Sequence, residues 1–82
     1  MTYEMLFAYL AHLGFEDTSP TESERVFEHP RLQILLAFSL RDQGAIYSPV
    51  RSADITSVEY RMQQHGLLTG TLADAVRQLR VV

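Results

Sequence analysis

Apolar residues recur at Tyr3, Leu6, Leu10 and Leu13, flanked by Phe7 and Tyr9, while Glu4, Ala8, Ala11 and His12 take the other side. That spacing predicts an amphipathic helix with one buried face. Thr2 suits its N-cap, and Glu4 lies in the first turn, where the helix dipole favours an anion. Gly14 suits the left-handed residue after the last turn, with Phe15 folding back on the apolar stripe.

Residues 16–23 are polar, acidic and broken by Pro20, so they read as a loop or a weak edge strand. From Glu24 the period changes to two. Arg25, Phe27 and His29 face one way, Glu24, Val26 and Glu28 the other, and His29-Pro30-Arg31 makes the turn. In the next strand Leu32, Ile34, Leu36 and Phe38 share one face, and Gln33, Leu35 and Ala37 share the other. A strand apolar on both faces is usually covered on both. One cover is the helices. The second, over Leu35 and Ala37, is expected to be the C-terminal segment or another subunit.

Arg41-Asp42-Gln43-Gly44 reads as a turn and Ala45-Ile46-Tyr47 as a short third strand, closed by Ser48-Pro49. A second helix is expected over 52–65, with Ile55, Val58 and Met62 inward and Gly66 as its stop. Leu67 and Leu68 return to the core. Thr71 caps a last short helix, with Asp74 as its capping-box partner and Leu72, Ala75, Val76 and Leu79 as its stripe. The predicted fold is α+β, α-β-β-β-α. It has a three-stranded antiparallel sheet with helices on one face and an extra C-terminal helix, and residues 1–82 form a single domain.

Composition adds several constraints. A chain of 82 residues buries only roughly 60–65% of its unfolded surface, so a dimer that shares core is an easy remedy for small size. No apolar run approaches the roughly 18–20 residues that span a membrane, no secretory signal is visible, and a cytoplasmic location is expected. There is no cysteine, which excludes disulfides and thiolate metal sites. All seven basic residues are arginine, which fits a codon bias as well as a need for bidentate guanidinium groups. Residues 1–30 hold six acids against Arg25 alone, a net of −5. The remainder carries +2, leaving −3 overall, a poor footprint for nucleic acid.

The candidate residues each carry two readings. His29 reads first as a turn residue bonded to backbone, and alternatively as a general base. Glu24 and Glu28 are four residues and about 13 Å apart along one strand face, too far for a carboxylate dyad. No two histidines have the i, i+4 spacing of a metal pair, so no metal or cofactor is expected. Tyr47 with Arg51, next to Arg41, is either an aromatic–basic patch or a tyrosine covering the sheet edge. Leu72, Val76 and Leu79 fit ordinary core or a dimerisation helix ending in Val81-Val82.

The order and spacing of several segments resemble the small HicA-like (YcfA-like) proteins of toxin–antitoxin systems. These segments are Leu13-Gly14-Phe15 after the first helix, Arg25-Val26-Phe27-Glu28-His29-Pro30 in the hairpin, the apolar strand 32–38, Pro49-Val50-Arg51 and His65-Gly66-Leu67. The resemblance implies a fold like the double-stranded-RNA-binding domain and, for the toxins, cleavage of messenger RNA. Those toxins carry Gly-Ser-His before the Arg-hydrophobic-Phe strand, and the resemblance implies that this histidine is catalytic. Here the positions read Glu22-Ser23-Glu24. A glutamate at its ordinary pKa is already ionised near neutral pH and only accepts protons.

The expectation therefore leans away from an enzyme, toward a HicA-like domain acting through protein association as a homodimer or with a partner protein. Val26, Leu35 and Ala37, or Leu72, Val76 and Leu79, would make the contact. The alternative is an RNA-binding or RNA-cleaving toxin using Arg25, Arg31, Tyr47 and Arg51 on phosphate and His29 for proton transfer.

Overall fold

A computed structural model of the chain describes residues 1–81, apart from the side chains of Gln43, Arg80 and Val81. The expectation for the closing Val81-Val82 pair lies outside the described residues. Helix α1 spans Tyr3–His12, and the Thr2 hydroxyl accepts from the Met5 N–H at 3.3 Å. Its end is a Schellman motif: the Phe15 N–H donates to Leu10 O at 3.0 Å, and the Gly14 N–H to Ala11 O at 3.1 Å. Gly14 has φ +100°, which a side chain rarely adopts, and Phe15 is buried.

Three antiparallel strands follow in the order β1-β2-β3: β1 Glu16–Asp17, β2 Glu24–His29 and β3 Ile34–Ser39. The segment 16–23, expected as a loop or a weak edge strand, supplies the third strand of the sheet at Glu16–Asp17 only. The strand expected at Ala45-Ile46-Tyr47 is not formed, and Gln43–Tyr47 is a short 3-10 helix. Geometry accounts for the difference. On β3, the carbonyls of Leu35 and Ser39 point to the free edge and accept from Arg61 and Arg51, so side chains cover the edge that another strand would need. The neighbouring extended segment pairs with the N-terminus instead, through Val50 N–H to Met1 O and Tyr3 N–H to Ser48 O.

Helices α2 (Ser52–Gln64) and α3 (Leu72–Val81) complete the chain. Phe27, Ile34, Leu36 and Phe38 form the buried face of the sheet, and α1 lays Phe7 on it at ring distances of 4.7 Å from Phe27 and 5.4 Å from Phe38. Behind that layer Leu6, Leu10, Val58, Met62, Leu72 and Val76 are fully enclosed. Helix α3 rests on α1 and α2. The N-terminus of α3 is held from α2, because the Glu59 carboxylate accepts the Leu72 N–H at 2.7 Å, an anion at the positive end of a helix.

The packing corrects one expectation. Leu72 and Val76 are inside the chain's own core and offer no surface for association, while Leu79 packs partly against that core. It also removes one of the two covers expected for the second sheet face, because the C-terminal helix lies on the helices.

Candidate functional site

His29 is 9% exposed at the end of β2. Its Nδ1 accepts the Leu32 N–H at 3.2 Å, which leaves Nε2 to carry the proton and donate to Leu13 O at 3.2 Å. Phe15 meets the ring edge-on at 5.2 Å, and the backbone at Gly14 is so close that an added Cβ would lie 3.2 Å from Nε2. Both ring nitrogens are therefore committed to backbone. The imidazole pins the hairpin to the end of α1 and presents no lone pair for proton abstraction.

Glu24 is exposed at the start of β2. Its N–H donates to the Thr21 hydroxyl at 2.9 Å, and its cross-strand neighbour is Ser39. No acid–base partner stands beside it among the described residues.

The four residues proposed for phosphate are not brought together. Arg25 lies against the ring of Phe7 at 5.0 Å, bonded to Asp17 at 2.7 Å and to the Ser19 hydroxyl at 3.1 Å. Arg51 donates to the Tyr3 hydroxyl at 3.0 Å and to Ser39 O, pairs with Asp54 at 3.5 Å, and stacks over the Tyr3 ring. Tyr3 in turn donates to Asp54 at 2.5 Å. The aromatic partner of Arg51 is thus Tyr3, and Tyr47 is 66% exposed in the 3-10 helix, sharing a groove with α1 and α3 residues. Arg31 is in the hairpin loop, a strand length of about 17 Å from the end that Arg51 touches.

Two pKa shifts record these roles. Burial pushes the Asp17 carboxyl up, but hydrogen bonds from Ser19 and Arg25, with the Arg25 charge, hold it below its ordinary value. The bond to Tyr3, with the charges of Tyr3 and Asp54, raises Arg51, which stays a fixed cation. Both groups act as structural fasteners.

The outer face of the sheet does gather predicted residues. Val26 is directly opposite Ala37, and Leu35 is directly opposite Glu28. Leu35 is 46% exposed, Ala37 is exposed and Val26 is half-buried. Glu24 and Glu28 share this face, and Glu16 joins them because it pairs directly with Glu28. The result is a short apolar strip bordered by three carboxylates. Glu16 was legible only as part of an acidic run, since nothing local marks a two-residue strand. The edge-covering Arg61 and the cap Glu59 were missed altogether, because each acts on a segment distant in sequence.

Among the described residues no group of three or more acidic or histidine side chains is arranged to hold a metal, and no helix is long and apolar enough to cross a membrane. Comparison with protein-family models, curated proteins and solved structures yields no match for the chain.

Proposed function

We propose that this chain is a non-catalytic, HicA-like domain that works by binding another polypeptide through the outer face of its sheet. The observation that carries the reading is the strip formed by exposed Leu35 and Ala37 on β3 with half-buried Val26 on β2, on the side of the sheet opposite the core. Antiparallel sheets tolerate one wet face, but that face normally alternates to polar residues, and Leu35-Leu36-Ala37 does not. Support for the absence of catalysis comes from His29, whose two nitrogens are both spent on backbone, and from Glu24 standing alone.

The test is the size of the native assembly in gently prepared extracts of the cells that make this protein. The wild-type chain is expected to elute well above its 9.4 kDa mass, and Leu35→Arg, on an exposed position that leaves the fold intact, at the monomer size. Elution of the wild type itself as a monomer contradicts the proposal. Binding of a second copy, the homodimer, shows as a doubled mass, and a different partner shows as any other. The RNA-cleaving reading predicts growth arrest on induced expression, and normal growth removes it.

A further inference from the structure

The charge on the outer face names the kind of partner. Glu16 and Glu28 are directly opposite across β1 and β2, a like-charge pair that costs stability in a sheet. Glu24 lies on the same face two positions beyond Val26. Among the described residues the ion pairs go to Asp17, Asp54 and Asp74, and none goes to these three glutamates. Arg25, the only cation on β2, projects to the opposite side and is held by Asp17. Among the described residues no ion pair relieves this set of like charges, which borders the apolar strip.

We propose that the occupant is a basic polypeptide segment, with lysine or arginine flanking a short apolar stripe. Its stripe covers Val26, Leu35 and Ala37, and its cations meet Glu16, Glu24 and Glu28. This rests on the association reading above and decides its partner. A second copy stacked face to face would set six carboxylates against one another, and like charges across an interface suppress a partner. Nucleic acid carries the same sign as the face. A cationic amphipathic chain satisfies both the strip and its border, and each contact it makes replaces a repulsion.

The experiment is an amide-shift titration of the 15N-labelled chain with a synthetic amphipathic leucine/lysine peptide and its leucine/glutamate counterpart. It is run at about 0.1 M and about 1 M salt, where charge screening differs severalfold in range. The lysine peptide is expected to shift amides at Val26, Leu35 and Ala37. Its binding should weaken about tenfold in the triple variant Glu16→Gln, Glu24→Gln, Glu28→Gln, and fall again with salt, while the glutamate peptide leaves the spectrum unchanged. Retained dispersion in the variant's spectrum certifies its fold. If both peptides bind equally, or the triple variant binds as tightly as wild type while Leu35→Arg does not bind, the charge inference fails and association through this face stands. If the lysine peptide shifts nothing on the face, the inference also fails, and assembly size then decides the wider reading separately.

Discussion

At the scale of single residues, His29 is a fastener. Replacing His29 by alanine removes its part-buried hydrogen bonds to the Leu32 N–H and the Leu13 carbonyl, together worth about 1–3 kcal/mol. For a domain of this size that corresponds to a fall in Tm of about 5–15 °C. Thermal melts followed by circular dichroism read it directly, and an unchanged Tm would show that the ring does not tie the hairpin to α1. Asp17 makes a second, pH-dependent test. Its folded-state pKa is depressed, so its contribution is complete above the ordinary carboxylate pKa and is lost as pH falls through the folded value. Asp17→Asn should therefore melt below wild type at pH 7, and the gap should close as pH drops below about 4. A gap that widens in acid contradicts the assigned sign.

At the scale of elements, the two apolar stripes considered for association part ways. Leu72 on α3 is fully enclosed, and Leu72→Ala removes core contacts at a cost of about 2–5 kcal/mol. Leu35→Ser, on the outer face of β3, should stay within about 0.5 kcal/mol of wild type, since its side chain leaves water only when something covers it. Denaturant midpoints for the two variants separate the stripes, and equal losses would place Leu35 in the core. The same sheet carries the Glu16–Glu28 clash. Glu28→Gln relieves it, and an increase in Tm of about 1–5 °C is expected. A lower Tm would mean that the carboxylate makes a favourable contact in the free chain.

At the scale of the whole molecule, sequence periodicity was enough for the helices and the hairpin. The Thr2 cap, the Gly14 ending and the alternation at Ile34, Leu36 and Phe38 each act within a few residues, so local patterning exposes them. Long-range choices were not legible. Ala45-Ile46-Tyr47 has strand-forming residues, but Arg51 and Arg61 cover the edge it would have joined, and neither arginine marks that role in the sequence. Glu16 and Asp17 found the other edge. Likewise Leu72 and Val76 look alike as core or interface, and only the placement of α3 on α1 and α2 decides between them. The candidate surface was half visible: the second apolar face of β3 was readable from Leu35 and Ala37. Its acidic border required the register that brings Glu16 beside Glu28.

The resulting picture is a small domain whose helices and inner sheet face enclose a complete core, with one sheet face left over. A core closed within a single chain removes the need for a partner to finish folding. The contact proposed for the outer face would then form and release without unfolding the domain. The most direct test is photo-crosslinking in living cells, with the reactive side chain placed at Leu35 on the outer face or at the still more exposed Tyr60 on α2. A discrete adduct from position 35 and none from position 60 is expected. Adducts of equal yield from both positions, or none from position 35, would contradict the proposed contact.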